Sequence, residues 1–256
     1  MVRAPKAYKN IDFLKSRKAR PLRILAEYLE PEKRFEDNNI RHTVVFFGSS
    51  RVRPDKEDNL NTKKYYLAAE EFAYRLAMWS KELENETAKN GFVICSGGGP
   101  GIMEAANKGA RRANAKTIGL NITIPTEQMP NDYISPELNF EFHYFFMRKL
   151  WFLYHAKALV VFPGGFGTMD ELFEVLTLKQ THKLEKFDIP VLLYDKKFWQ
   201  DLFIFPKLVE YGLISPEDAN IFKFFDSPDE GMTILKPLLE KMIRNFVETA
   251  FNNNKV

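Results

Sequence analysis

The feature that most constrains the fold is a regular alternation, from residue 42 onward, of short apolar runs with longer helix-length segments. The longer segments carry apolar residues at helical spacing, as Tyr66, Ala69 and Ala73 do. Uniformly apolar strands that alternate with helices indicate a parallel sheet covered on both faces. The predicted strands are 43–47, 92–95, 117–122, 159–162, 191–194 and 222–225, with a further one at 139–144, and the predicted helices are 62–89, 101–114, 147–157, 168–180, 198–210 and 228–248.

This pattern predicts an α/β fold, with a single doubly wound, Rossmann-like domain whose parallel sheet has about six or seven strands and helices on both faces. No tandem repeat and no Gly/Ser/Pro-rich linker divides residues 42–256, so these residues are expected to form that domain. Residues 1–41 precede the first strand and are expected to form a helical extension. The loops that follow the carboxyl ends of parallel strands gather at one edge of the sheet, which is where ligands bind.

Positive charge is concentrated at the N-terminus. Residues 1–23 contain eight Lys or Arg residues against one acid, a net charge of +7, whereas the whole chain carries +3 and the rest therefore −4. The body thus has no polybasic face that would indicate nucleic acid as a partner. The basic segment has the Arg-rich, acid-poor composition of a transit peptide. Its apolar residues favour instead a helical extension that packs on the domain: Ile11, Leu14, Leu22 and Leu25.

Several classes of protein are excluded by composition. The longest unbroken apolar runs, such as 150–154, have five residues, far fewer than the roughly 18 that span a bilayer. We therefore expect a soluble, cytoplasmic protein with no membrane partner. The single cysteine, Cys95, excludes an intrachain disulfide, and the four histidines lack the spacing of a metal site, so no metal is expected.

The chain has only 13 glycines, and seven of them lie in two short clusters. Both clusters follow a predicted strand and begin a predicted helix. Glycine lets the backbone turn sharply and brings N–H groups close to a ligand, and the start of the next helix supplies unpaired donors that suit a phosphate. A pair of tight structural turns is the alternative, but two clusters at corresponding positions favour anion binding: Gly97, Gly98, Gly99 and Gly101 form the first, and Gly164, Gly165 and Gly167 the second.

Neither cluster fits the two common nucleotide fingerprints. No Gly-Lys-Ser/Thr follows either one, which argues against the hydrolysis of a nucleoside triphosphate. The dinucleotide fingerprint needs a third glycine where this chain has Glu104 and Asp170. The ribose-binding acid expected about 20 residues after Gly101 is also missing, since Asn121 stands there. A nicotinamide-dependent dehydrogenase is therefore the weakest of the alternatives.

Charged residues accompany the second cluster. Glu171 and Glu174 lie three residues apart, and therefore on the same face, of the predicted helix that follows the glycines. Acids near the start of a helix ordinarily cap it. Glu171 is also near enough to the predicted phosphate site to reach a sugar. Upstream, Arg148 and Lys149 open another predicted helix, although cations at a helix start oppose its dipole. Together these residues predict a site for a phosphorylated sugar.

The same residues resemble a known family. Positions 163–171 read Pro-Gly-Gly-Phe-Gly-Thr-Met-Asp-Glu, which is similar to the Pro-Gly-Gly-x-Gly-Thr-x-x-Glu signature of the LONELY GUY proteins. These are cytokinin riboside 5′-monophosphate phosphoribohydrolases, whose bacterial relatives have been labelled possible lysine decarboxylases. The resemblance extends over roughly residues 42–246 and includes Ser-Gly-Gly-Gly-Pro-Gly-Ile-Met-Glu at 96–104, Met-Arg-Lys at 147–149 and Pro-Val-Leu-Leu-Tyr-Asp at 190–195.

The resemblance implies an N-glycosidase that hydrolyses a nucleoside 5′-monophosphate, either AMP or a cytokinin riboside monophosphate, to free base and ribose 5-phosphate. It implies a homodimer and no cofactor, and it makes residues 42–256 a nucleotide-binding catalytic domain. A carrier that binds a nucleotide or cofactor without catalysis is the main alternative. Arg148 and Glu171 are the implied catalytic residues, and the predicted substrate-binding residues are Gly98, Gly99, Lys149, Gly164, Gly165, Gly167, Thr168 and Glu174.

Overall fold

The structure is a computed structural model that describes residues 3–55, 62–87, 91–125, 129–183 and 189–253. Side chains are described over the same ranges, except for 85–87 and 244–253. The strands are β1 Thr43–Phe47, β2 Val93–Ser96, β3 Thr117–Ile122, β4 Asn139–Phe142, β5 Ala156–Val161, β6 Val191–Tyr194 and β7 Lys223–Phe225. The α-helices are α1 Ile11–Lys15, α2 Arg20–Asp37, α3 Lys63–Thr87, α4 Ile102–Arg112, α5 Phe145–Tyr154, α6 Phe166–Gln180, α7 Lys196–Leu202, α8 Phe205–Glu210 and α9 Pro228–Asn253.

The strands form one seven-stranded sheet in the order β4-β3-β2-β1-β5-β6-β7, and every neighbouring pair is parallel. The predicted doubly wound fold is therefore confirmed. The chain leaves β1 toward one edge of the sheet and returns to its other side with β5, so the strand order reverses between these two strands. In an open parallel sheet, a ligand binds beyond the carboxyl ends of the strands at such a reversal. The loops after β1 and β5 meet at this point.

Each face of the sheet has its own hydrophobic core, because successive side chains of a strand point to opposite faces. Val44 and Phe46 of β1 pack with α3, α4 and α9, while Val45 and Phe47 pack with α2, α5, α6 and α7. Alternation within single strands thus supplies both cores. The two glycine clusters connect β2 to α4 on the first face and β5 to α6 on the second.

Most predicted helices differ from the observed ones only in their ends, and two of the differences have a clear cause. The helix predicted at 147–157 begins two residues earlier, at Phe145, and ends at Tyr154, because residues 156 and 157 already belong to β5. The helix predicted at 198–210 is interrupted and forms α7 and α8. Pro206 explains the interruption, since it has no N–H to donate to the carbonyl group four residues earlier, at Leu202. The last two residues predicted for the helix at 62–89 lie outside the described ranges.

The predicted helical extension is confirmed, but three of the four residues expected to pack it on the domain are exposed, and only Leu14 is partly buried. Ile11, Leu22 and Leu25 are each about half exposed. Helix α2 instead turns another face toward the domain, and the buried ring of Phe35 joins the core between α2 and the sheet. Ile24 and Tyr28 also pack on this core. Periodicity alone did not identify the buried face because α2 has apolar residues on two sides. The division of the chain at residue 41 stays a prediction.

Candidate active site

A cavity of about 800 Å³ opens where the loops after β1 and β5 meet. It therefore lies at the carboxyl edge of the sheet, at the reversal of strand order where ligands bind in this class of fold. Its walls come from five parts of the chain. They are the loop 48–51 after β1, Met103 of α4, Arg148 of α5, the segment 164–169 with Glu171 around the start of α6, and Leu202 and Phe203 at the end of α7.

The second glycine cluster forms the floor of this cavity. Gly164 packs against the buried Thr168, so that a side chain at 164 would overlap the threonine. Gly165 and Gly167 have open space where a side chain would be, which leaves their backbone accessible from the cavity. Helix α6 begins at Phe166, and the first N–H groups of a helix have no partner within it. A phosphate group fits such a helix start.

Arg148 and Glu171 meet in the wall of the cavity. The guanidinium Nη2 donates a hydrogen bond of 3.0 Å to Glu171 Oε1, and both side chains are mostly buried, with 13% and 16% of their surface exposed. Burial raises the pKa of Glu171 to about 7, although the guanidinium opposes that rise. Burial also lowers the pKa of Arg148. Near neutral pH, this carboxyl group is therefore poised to gain or lose a proton.

The first glycine cluster has a different role from the second. A side chain at Gly97 would approach the Arg148 guanidinium to 3.0 Å and would overlap Met103, so the glycine makes room for the arginine. Gly98 has a φ of 75°, its N–H donates to Ser96 Oγ at 3.1 Å, and its carbonyl accepts from the Asn131 backbone at 2.8 Å. Both polar groups of Gly98 therefore already have hydrogen-bond partners within the protein.

A buried amide network holds this first cluster. Asn131 Nδ2 donates to the carbonyl groups of Gly98 and Gly99 at 2.9 and 3.1 Å, and to Asn107 Oδ1 at 2.9 Å. Asn107 in turn accepts from Ser96 Oγ at 2.7 Å. Among the described residues that line the cavity, none belongs to this cluster. Gly98 and Gly99 thus lie outside the cavity lining, and their predicted contact with substrate stays a prediction.

We expect the substitutions Gly98→Ala and Gly165→Ala to have opposite signatures. Alanine at 98 combines a positive φ with overlap on Asn121, and we expect it to cost at least about 1 kcal/mol of unfolding free energy, or a Tm lower by about 3 °C or more. Alanine at 165 meets only open space, so Tm should hold while phosphate-dependent binding weakens. Thermal unfolding and calorimetric titration with AMP measure the two effects. Equal Tm values for both variants would contradict this assignment.

Lys149 and Glu174 lie beside the cavity rather than in its lining. Lys149 Nζ bonds Asp170 at 2.7 Å and approaches Glu174 at 3.5 Å. All three line an open groove of about 580 Å³ along α6, which shares Phe166 and Met169 with the cavity. The structure therefore brings Glu171 together with Arg148, and Glu174 together with Lys149, in two adjoining spaces. Phe166, which is 96% exposed, stands between them.

Sequence reasoning did not single out part of the cavity wall. Ser49, Ser50 and Arg51 belong to the loop after β1 and line the cavity together with Gly164, Gly165 and Gly167. The Ser49 carbonyl accepts from the Ile102 backbone at 3.0 Å, which ties this loop to the start of α4. The signal for these residues was present, since Gly-Ser-Ser follows the first strand at 48–50. Only the strand order shows that this loop faces the one after β5.

A metal site or a membrane span would each need its own features in the described part of the chain. Within those residues, no group of three or more His, Cys, Asp or Glu side chains is arranged to hold a metal ion. No helix among them is both long and apolar enough to cross a membrane.

The sequence matches a defined family. Residues 103–235, just over half of the chain, match the family described as possible lysine decarboxylase. A probable cytokinin riboside 5′-monophosphate phosphoribohydrolase of rice (Oryza sativa subsp. japonica), LOGL2, is 30% identical over 214 residues, which are 80% of this chain and 78% of the rice protein. The chain therefore belongs to this family, which includes the LONELY GUY (LOG) phosphoribohydrolases.

The match to other members is shorter. Rice LOG4, also a probable cytokinin riboside 5′-monophosphate phosphoribohydrolase, is 30% identical over 148 residues. That match covers 56% of this chain and 61% of the rice protein, so less than two thirds of this relative is spanned. Among solved structures, the molybdenum cofactor binding protein from Rippkaea orientalis has a TM-score of 0.53 and 18% identity, over 78% of this chain and 99% of that one. Likeness at this identity shows the fold alone.

Proposed function

We propose that this protein hydrolyses the N-glycosidic bond of a nucleoside 5′-monophosphate, releasing the base and ribose 5-phosphate. The observation that carries the proposal is the buried Arg148–Glu171 pair, which lies in one cavity with the start of α6. The start of α6 is suited to the phosphate, and Glu171 lies little more than one helical turn further along. This spacing suits a substrate that has a phosphate at one end of a ribose and the scissile bond at the other. Family membership supports the same reaction.

The chemistry that we assign to Glu171 follows from its charge. Breaking a ribosyl bond passes through an oxocarbenium-like state, which a fixed carboxylate stabilises. The C1′–N bond breaks with its electron pair going to the base, a water oxygen bonds to C1′, and Glu171 accepts the proton that this water loses. A proton returned to the base completes the reaction without a cofactor. Arg148 either holds the substrate or assists the departing base, and a variant described in the Discussion separates these roles.

The substrate and its base are tested directly by base release. Purified protein is incubated with AMP, isopentenyladenosine monophosphate and adenosine, and free base is followed by chromatography. We expect release from one or both monophosphates and much less from adenosine, because adenosine lacks the group that the α6 start binds. A carrier on the same fold would bind a nucleotide with no release at all. Equal rates for AMP and adenosine would contradict a phosphate site at 164–168.

A homodimer is part of the proposal. Helices α2 and α5 pack against each other, and both expose apolar side chains at helical spacing. Large apolar patches on a protein surface mark interaction sites, and a second copy of this chain is the proposed occupant. The exposed side chains of this surface are Leu22, Leu25 and Leu29 on α2, and Phe146, Leu150 and Tyr154 on α5.

The cytoplasmic location predicted from the sequence likewise stays a prediction.

The raised pKa of Glu171 predicts the pH dependence of the reaction. The carboxylate must be ionised to act, and its pKa is about 7, so kcat/KM for AMP should rise through about pH 7 and level off above it. Two pH units below a pKa only about 1% of a carboxyl group is ionised, which gives a loss of about 100-fold near pH 5. The phosphate of AMP titrates near pH 6, and phosphorus NMR of AMP alone corrects for it. A corrected profile that is flat from pH 5.5 to 8 would contradict the assigned role.

A further inference from the structure

The N-terminal extension makes a specific contact with the helix that carries Arg148. The Glu27 carboxylate of α2 accepts hydrogen bonds from the backbone N–H groups of His143, at 3.0 Å, and Tyr144, at 3.2 Å. These are the two residues that directly precede α5. The start of a helix has unpaired N–H groups and a positive dipole end, so a carboxylate there is favourable. Tyr144 itself, the residue before α5, has no side-chain cap.

The same residue of α2 holds α5 a second time, through its backbone. Pro31 lies inside α2 and has no N–H, so the carbonyl group four residues earlier, at Glu27, lacks its usual helical donor. The indole Nε1–H of Trp151 donates to that carbonyl at 2.9 Å. Trp151 is a buried residue of α5. A proline that would ordinarily weaken a helix therefore creates the acceptor that a second helix uses.

Aromatic packing fixes the remaining freedom between the two helices. The ring centroids of Tyr28 and Phe35 lie 5.7 and 5.3 Å from that of Trp151. The Arg20 guanidinium lies 5.6 Å from the ring centroid of Tyr144. Helix α5 is therefore held by three kinds of contact: the hydrogen bonds at its start, the indole hydrogen bond about two turns later, and these rings. Together they define both the position of α5 and its rotation about its axis.

Arg148 lies on α5 between these two anchors. Its position in the first turns of the helix is unfavourable, because a cation there opposes the helix dipole. The carboxylate of Glu27, supplied from outside α5, offsets that cost. We propose that Glu27 is a positioning residue for the Arg148–Glu171 pair, and that α2, with Pro31, is the element that orients the catalytic helix. The effect of Glu27 on turnover rests on the proposed function, whereas its effect on the geometry of the Arg148–Glu171 pair does not.

Three variants and one control test this proposal in the full-length protein. Glu27→Ala removes both contacts with the amides that precede α5. Glu27→Gln keeps the size of the side chain and one acceptor oxygen, so that packing is retained while one amide loses its partner. Pro31→Ala returns an N–H to α2 that competes with Trp151 for the Glu27 carbonyl. Glu30→Ala is the control, since Glu30 lies on the same helix but is exposed and pairs only with Arg34 in the contacts described.

The first readout does not require activity. The Arg148 guanidinium lowers the pKa of Glu171, so displacement of α5 should raise that pKa, measured by carbon-13 NMR of the ligand-free protein. We expect an increase of about half a unit or more in Glu27→Ala, less in Glu27→Gln, and none in Glu30→Ala. The indole N–H resonance of Trp151 should move in Pro31→Ala. These results stand or fall whether or not AMP is hydrolysed.

The second readout is turnover. We expect kcat for AMP to fall about 10-fold in Glu27→Ala at an almost unchanged KM, because misplacing a catalytic group by a fraction of an ångström slows the reaction more than it weakens binding. The acid limb of the pH profile should shift upward with the NMR pKa. If Glu27→Ala and Glu27→Gln lower Tm but leave the pKa of Glu171 and the pH profile unchanged, Glu27 only packs the extension and the proposal is wrong.

Discussion

Replacing Glu171 with glutamine is expected to lower the rate of base release from AMP by a factor of about 10² to 10⁴, with little change in the affinity for AMP. Glutamine has almost the same shape, and it can still contact the Arg148 guanidinium through its amide oxygen. It carries no charge, however, so it neither stabilises an oxocarbenium-like state nor accepts a proton from water. Single-turnover release of adenine and calorimetric titration with AMP measure the two quantities separately.

The chain offers a matched control for this substitution. Glu104 lies in the first turn of the helix that follows the first glycine cluster, but its carboxylate accepts from the Tyr66 hydroxyl at 2.7 Å, outside the cavity lining. Glu104→Gln keeps an acceptor for that hydroxyl and should release adenine at nearly the wild-type rate. Near-normal turnover by Glu171→Gln would refute the role assigned to this carboxylate. An equal loss in both variants would indicate a general effect of the substitution on folding.

The second large effect is expected from Arg148→Gln, which we predict lowers kcat/KM for AMP at pH 7 by about 10² to 10³. Removing the guanidinium takes away the cation that is hydrogen-bonded to the buried Glu171 and leaves only the weaker effect of Lys149, so the pKa of Glu171 should rise further above 7. The variant therefore holds Glu171 mostly protonated at neutral pH. Its acid limb should move to higher pH, which steady-state kinetics between pH 6 and 9 measure.

The same variant separates the two roles left open for Arg148. If the guanidinium holds the substrate and keeps Glu171 ionised, KM should be raised at every pH, while kcat recovers substantially as the pH approaches 9 and Glu171 ionises again. If it assists the departing base, kcat should stay low at every pH, and Arg148→Lys, which keeps a cation, should recover part of it. An Arg148→Gln profile with the wild-type limb and rate would contradict any contact of Arg148 with the reaction.

The sheet could be predicted from the sequence because its strands are buried on both faces. A run such as 44–47 is apolar throughout, and this signal does not depend on distant parts of the chain. The strand order could not be predicted in this way, because nothing in the local sequence of β1 or β5 indicates that these two strands are neighbours. For this reason the loop 48–51 was missed as part of the cavity, while the glycines after β5 were found.

The two glycine clusters show most clearly where local patterns stop being informative. Both follow a strand and begin a helix, and their sequences alone predict the same function. The difference comes from Asn131, more than 30 residues away from Gly98, whose amide donates to carbonyl groups of the first cluster. The link between Glu27 and α5 is likewise a long-range contact, across more than 100 residues. Side-chain hydrogen bonds of this kind leave no periodic signal.

The central claim, that this protein is an enzyme acting on nucleoside monophosphates, is tested most directly by counting product. Purified wild-type protein is incubated with an excess of AMP at pH 8, where Glu171 is mostly ionised, and adenine and ribose 5-phosphate are quantified together. We expect many equivalents of both products per protein chain, in equal amounts, and almost none with Glu171→Gln. AMP that is bound but recovered intact, with isopentenyladenosine monophosphate equally unchanged, would contradict it and would identify a carrier instead.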